Sequence, residues 1–100
     1  MATPVLPIAE LPPGTIRKVM VGDTPVLLHN VGGTIYATSD TCCHMGADLE
    51  QAELINHVLI CPWHGWQYDV TNGQCLINAG AKLLTYPVTV ENDQIAVDAG

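Results

Sequence analysis

Two short stretches concentrate the residues able to hold a metal. Cys42, Cys43 and His44 run into Met45, Gly46, Ala47, Asp48 and Leu49; sixteen residues then separate His44 from Cys61, which opens the run Cys61-Pro62-Trp63-His64-Gly65-Trp66. Cys42 with His44, and Cys61 with His64, each supply one thiolate and one imidazole from a single tight turn. Brought together, the two turns present two sulfurs and two nitrogens in one small volume, a donor set that binds either zinc or an iron-sulfur cluster. Gly46 and Gly65 let the backbone turn just after each histidine and let amides approach a buried anion such as a bridging sulfide. Pro62 stiffens the second turn.

The elements that must position these turns read as strands. β-type runs at residues 5–8, 15–21, 26–31, 34–38, 57–61, 67–70, 83–91 and 94–98 alternate with turn signals at Pro12-Pro13-Gly14, Gly32-Gly33, Thr71-Asn72-Gly73 and Asn92-Asp93, the last pair predicting a tight hairpin. Residues 46–55 have helix-forming composition but are barely long enough for a turn or two, and are expected to be loop. The pattern predicts an all-β fold: a small antiparallel barrel or sandwich with two long excursions, 39–56 and 62–67, that carry the candidate ligands.

Composition bounds the rest. A chain of 100 residues is expected to be one domain, 1–100, and its charged fraction of 13% with no Phe leaves few large side chains to fill a core, so a metal centre would help hold it together. Ten acids against three bases give a formal charge of -7, which argues against nucleic acid and anionic lipid as partners. Residues 1–14 contain no base and several prolines, unlike a signal or transit peptide. No apolar run approaches the roughly eighteen residues of a membrane span, so a cytoplasmic protein is expected. Four cysteines in that setting point to metal or redox chemistry before disulfides.

The motif pair C-x-H-x-G-x-x-L and C-P-W-H-G-W resembles the Rieske iron-sulfur family, and the surrounding short strands, including Tyr86-Pro87-Val88, are similar to small Rieske-type ferredoxins over nearly the whole chain. The resemblance implies the Rieske fold and one [2Fe-2S] cluster, with Cys42 and Cys61 on one iron and His44 and His64 on the other. A structural zinc site with the same four ligands is the competing assignment. Zinc gives no reason for Leu49 and the tryptophans to shield a cluster whose histidine edge must stay open.

Respiratory and photosynthetic members carry two further cysteines that tie the ligand loops; the corresponding places here are Ala47 and Trp63, so the chain resembles the soluble ferredoxin branch. Ring-hydroxylating oxygenases share C-P-W-H-G-W but need a further mononuclear iron domain that 100 residues cannot hold. The resemblance therefore implies an electron carrier, not an enzyme in itself. Such a carrier is expected to take an electron from a flavin or iron-sulfur ferredoxin reductase and pass it to a terminal oxygenase. Two other readings stand beside it: a small Rieske subunit of a nitrite reductase-type complex, and a zinc-stabilised interaction module.

Two ferric ions, two sulfides and two thiolates sum to zero charge, so such a cluster accepts an electron more readily than one held by four thiolates, at roughly -150 to +300 mV. Trp66 stands where the respiratory branch has a serine donor and Tyr68 matches its tyrosine, which implies a potential low in that range. Cys43 is expected to point away from the metal, Cys75 to pack in the core, and His29 and His57 to be packed or solvated rather than ligating. Trp66 is assigned to packing, and Trp63 to either cluster cover or docking. Asp40, Asp48, Glu50 and Glu53 form either a solvated face or a docking rim. Family members commonly have a proline in the third loop over the cluster. Residues 74–86 contain none and offer Gly80 and Lys82 instead.

Overall fold

The computed structural model describes residues 2–40, 49, 52–61, 66–77, 80 and 82–99. Among the described residues ten strands follow one another: β1 (Thr3–Pro7), β2 (Ile16–Val21), β3 (Thr24–Val31), β4 (Thr34–Ser39), β5 (Glu53–Ile55), β6 (Val58–Ile60), β7 (Gln67–Asp69), β8 (Thr85–Tyr86), β9 (Val88–Glu91) and β10 (Gln94–Val97). They make three small antiparallel sheets, ordered β2-β3-β4-β8, β1-β10-β9 and β5-β6-β7. The all-β class and the Asn92-Asp93 hairpin are as expected. Asn92 and Asp93 both adopt positive φ, 52° and 63°, and close β9 onto β10 with the twist a two-residue hairpin requires.

β3 is the divider of the molecule. Val26 through Asn30 are all buried, because successive side chains point to opposite faces and both faces are covered. Val26 and Leu28 join Leu6, Leu11, Ile35, Ala37, Ile95 and Val97 on one side. Leu27 joins Leu49, Leu59, Cys61, Tyr68, Val70, Cys75 and Leu83 on the other. The second group includes Leu49 and Cys61, the described residues that border the two candidate ligand stretches. With no Phe available, each of its leucines carries weight, and truncating one to Ala costs about 2–5 kcal/mol.

The structure corrects three expectations. Residues 83–91 are not one strand: Tyr86 pairs with Ala37 of β4, whereas Val88 pairs with Val97 of β10. Pro87 between them has no N–H to continue the ladder, and the chain changes sheets there. The stretch 46–55 is not loop to its end, since Glu53–Ile55 forms β5 and pairs with β6. Asn56 at φ 55° turns the chain between them. The first strand begins at Thr3 and ends at Pro7, followed by a 3-10 turn at Ile8–Glu10. Its prolines are tolerated because β1 lies at a sheet edge.

Candidate metal centre

The second motif sits on a hairpin. β6 and β7 pair with Ile60 opposite Gln67 and Leu59 opposite Tyr68. The connection between them is closed by the Cys61 N–H donating to the Trp66 carbonyl at 2.7 Å. Cys61 itself is 1% exposed and belongs to the core below the loop. Its thiol thus stands where an apolar floor meets a tied turn. Trp66 packs partly buried against the same core, in line with its assignment to packing.

The segment bearing the first motif leaves from β4 and returns through Leu49. The Leu49 N–H donates to the Asp40 carbonyl at 2.8 Å, and the Ala52 N–H to the Leu49 carbonyl at 2.9 Å. Leu49 is fully buried in the core that holds Cys61, so the bases of both ligand-bearing segments are joined through one apolar cluster. Cys42, His44 and His64 lie outside the described residues, as do Cys43, Trp63, Asp48 and Glu50. Of the four candidate ligands, the structure therefore places Cys61. Among the described residues no three His, Cys, Asp or Glu side chains gather into a metal-binding group.

A third segment completes the floor. Cys75 bridges to Tyr68, and Gln74 to Lys82. Leu83 donates its N–H to Gly73 at 2.7 Å, and Leu76 to Gln67 at 2.8 Å. Backbone bonds pin the described residues of this proline-free segment. Cys75 and Tyr68 are buried, and the Cys75 thiol is in no disulfide.

The remaining histidines are not brought to Cys61 as ligands. His57 is half exposed in the turn before β6, at the opposite end of that strand, with Nε2 4.0 Å from Asp69 Oδ2. Burial resists ionisation of Asp69, but the Thr71 hydroxyl and N–H, with His57 nearby, outweigh it and hold the carboxyl below its ordinary value. His29 is wholly buried, its Nε2 2.8 Å from Thr38 Oγ1, a polar pair within β3–β4 that composition does not reveal. Asp40, one of the four acids near the first motif, lies 3.1 Å from Lys18 Nζ and is mostly covered; Glu53 is exposed.

A buried thiol on a closed hairpin, over an apolar floor shared with the return of the other segment, fits a group that needs sulfur donors shielded from water on one side. Comparison with known proteins bears on which group. The profile of the Rieske [2Fe-2S] domain matches residues 1–87. The ferredoxin component of biphenyl 2,3-dioxygenase from Rhodococcus jostii (strain RHA1) is 33% identical over 97 residues, 96% of this chain and 91% of that one. Ferredoxin CarAc of Metapseudomonas resinovorans is 42% identical over 66 residues, 65% of this chain, and the match spans 62% of that relative's length. A solved structure, the complex of reduced oxygenase and oxidized ferredoxin in carbazole 1,9a-dioxygenase, contains a chain that superposes with a TM-score of 0.88 at 34% identity, over 96% of this chain and 91% of that one. The stretch matched by the family profile contains Cys42, His44, Cys61 and His64 and ends at Pro87, where the chain changes sheets.

Proposed function

The chain belongs to the Rieske [2Fe-2S] domain family, and from that premise we propose that it is a one-electron carrier, the ferredoxin component of an aromatic ring-hydroxylating dioxygenase system. The observation that carries this reading is the family match over residues 1–87 together with the burial of Cys61 on its closed hairpin. Cys42 and Cys61 would hold one iron, and His44 and His64 the other. A bound cluster would supply reversible one-electron acceptance at the moderate potential that neutral imidazole ligands confer.

The chain's own residues do the rest. The β6–β7 hairpin fixes Cys61 relative to Trp66, and Leu49, Leu59, Tyr68, Cys75 and Leu83 exclude water from beneath that thiol. Residues 1–100 act as one domain with no catalytic centre of their own. Similar ferredoxins are named as components of biphenyl 2,3-dioxygenase and, in complex with the oxygenase, of carbazole 1,9a-dioxygenase. This supports a terminal oxygenase as one partner; the other partner of the proposed carrier is a flavin or iron-sulfur ferredoxin reductase, both in the cytoplasm, and the formal charge of -7 argues against nucleic acid and anionic lipid. Among the described residues no helix is long and apolar enough to cross a membrane.

The test is chemical. Protein produced in iron-replete cells and kept anaerobic is expected to be red-brown, to hold two irons and two acid-labile sulfides per chain, and to show on reduction the EPR spectrum of a cluster with two histidine ligands. A colourless chain holding one zinc sinks the proposal in favour of the interaction module. Normal spectra, with electrons accepted from an oxygenase reductase but none delivered to any ring-hydroxylating oxygenase, favour the nitrite reductase-type subunit instead.

A further inference from the structure

His29 stands in the middle of β3, opposite Ile16 of β2 and Tyr36 of β4. It is wholly buried, its sheet neighbours carry no charge, and burial pushes the imidazole down to about 3. The ring is therefore neutral at any pH near 7, with one N–H and one bare nitrogen. Nε2 lies 2.8 Å from Thr38 Oγ1, and the Thr38 hydroxyl donates to the Ser39 carbonyl at 3.1 Å. With the hydroxyl proton committed there, Nε2 carries the ring hydrogen and donates to Oγ1. Nδ1, which has no partner among the described residues, is then the bare nitrogen. A lone pair without a donor is a smaller cost in a core than an N–H without an acceptor.

The donors thus run in one direction, from the His29 ring through the Thr38 hydroxyl to the Ser39 carbonyl. That carbonyl is at a junction. The Ser39 N–H donates to Leu84 of the third segment at 2.9 Å, and the next residue, Asp40, accepts the Leu49 N–H and holds Lys18 through its carboxylate at 3.1 Å. Two residues beyond Asp40 is Cys42. His29 alternates along β3 with Leu27 and Val31, which face the core containing Cys61, so its ring lies on the same side of the sheet. An aliphatic residue at 29 fills the volume but has no hydrogen to orient Thr38.

We propose that His29 is a positioning residue for the cluster: acting through Thr38, it fixes the Ser39 carbonyl and hence the point and direction in which the segment bearing Cys42 and His44 leaves the sheet. The proposal rests on the ligand set given above. It assigns the imidazole a role in holding the metal centre, not in titrating with it.

The test compares cluster-loaded protein with Thr38→Val, Thr38→Ser, His29→Leu and the Thr38→Val/His29→Leu double variant. The readouts are the EPR g values of the reduced cluster, the midpoint potential, the rate of cluster loss to a chelator and the melting temperature. Thr38→Val and His29→Leu are each expected to displace the g values and potential and to speed chelator bleaching at least about fivefold, the factor that one buried hydrogen bond carries. Thr38→Ser, which keeps the hydroxyl, is expected to restore parental values, and the double variant to move no further than either single change. Variants that melt lower with parental g values, potential and bleaching rate overturn the proposal and leave His29 a packing residue. A variant too unstable to load is answered by Thr38→Ser: if the serine variant does not keep the parental spectrum, the hydroxyl is not what holds the junction, and the proposal fails. A parental protein without the two-histidine spectrum overturns the ligand assignment and this proposal together, which separates that failure from the positioning failure.

Discussion

The N–H of Cys61 donates to the carbonyl of Trp66 at 2.7 Å, so the chain carrying His64 leaves and rejoins the β6–β7 ladder at two tied points. The hairpin closes itself. What it lacks among the described residues is a disulfide to the segment carrying Cys42 and His44, and the two are joined through Leu49 in the shared core and, on the proposed ligand set, would be joined through the metal centre. His64→Ala is therefore expected to purify without the cluster and to melt more than about 5 °C below the parent, the shift that about 1 kcal/mol produces in a domain of this size. Iron analysis and a thermal scan check this. Melting at the parental temperature shows that the apolar core alone holds the segments together.

Tyr68 is fully buried opposite Leu59, bridges to Cys75, and shares the core with Cys61. A phenol donating to a ligand sulfur favours the electron-rich reduced state, so Tyr68→Phe is expected to lower the potential by on the order of 40 mV, about 1 kcal/mol for a one-electron couple. Protein-film voltammetry measures the difference. An unchanged potential makes the hydroxyl a core group with no bearing on the cluster.

His29 sets a pH window for stability. Its imidazole is held down to about 3 in the folded chain against 6.5 when unfolded. Between those values the unfolded state binds the extra proton, so stability is retained above about pH 6.5 and lost as pH falls below it. At pH 5 the loss is about 2 kcal/mol from this one group. Asp69 acts in the same direction but only on acidification below its unfolded value of 3.8. Denaturant titrations at pH 7 and pH 5 are expected to show a smaller difference for His29→Leu than for the parent, and equal differences refute the assignment.

Gly73 has φ 80°, and a Cβ there collides with the Leu83 carbonyl and presses on the Thr85 methyl. The Leu83 N–H donates back to Gly73 at 2.7 Å, so the clash falls on the bond that pins the third segment over the core. Gly73→Ala is expected to cost about 1–3 kcal/mol. Gly33→Ala, at φ 101° but with open space around the new methyl, carries backbone strain alone and is expected to melt between that variant and the parent. The reverse order in thermal scans contradicts this packing.

With a formal charge of -7, the chain approaches a basic partner as an anion, and its reduction by a ferredoxin reductase is expected to slow as salt rises from about 10 mM to 0.15 M, where the screening length falls from roughly 30 Å to about 8 Å. Asp40 contributes little to that field because Lys18 sits 3.1 Å away. Replacing both as Lys18→Gln/Asp40→Asn is expected to leave the salt slope unchanged in stopped-flow traces, whereas Asp48→Asn/Glu50→Gln flattens it. A rate indifferent to salt moves docking to apolar surface.

Much of this protein is local. The spacing of Cys42, His44, Cys61 and His64, the Gly32-Gly33 and Asn92-Asp93 turns, and the β-type runs of β2 to β4 depend on neighbours a few residues away, so the all-β class and the metal chemistry are legible in the sequence alone. Other features depend on partners far along the chain. β5 has weak strand composition and exists because β6 is there to pair with it. The run 83–91 reads as one strand, yet Pro87 divides it because Tyr86 finds Ala37 while Val88 finds Val97. In sequence Asp40 belongs to either a solvated face or a docking rim, and only the fold brings Lys18 Nζ within 3.1 Å of its carboxylate. His29 is an ordinary histidine by composition, and only the covering of both faces of β3 removes its water and leaves Thr38 as its partner. Burial and long-range pairing are set by which surfaces meet, and local propensity carries no record of that.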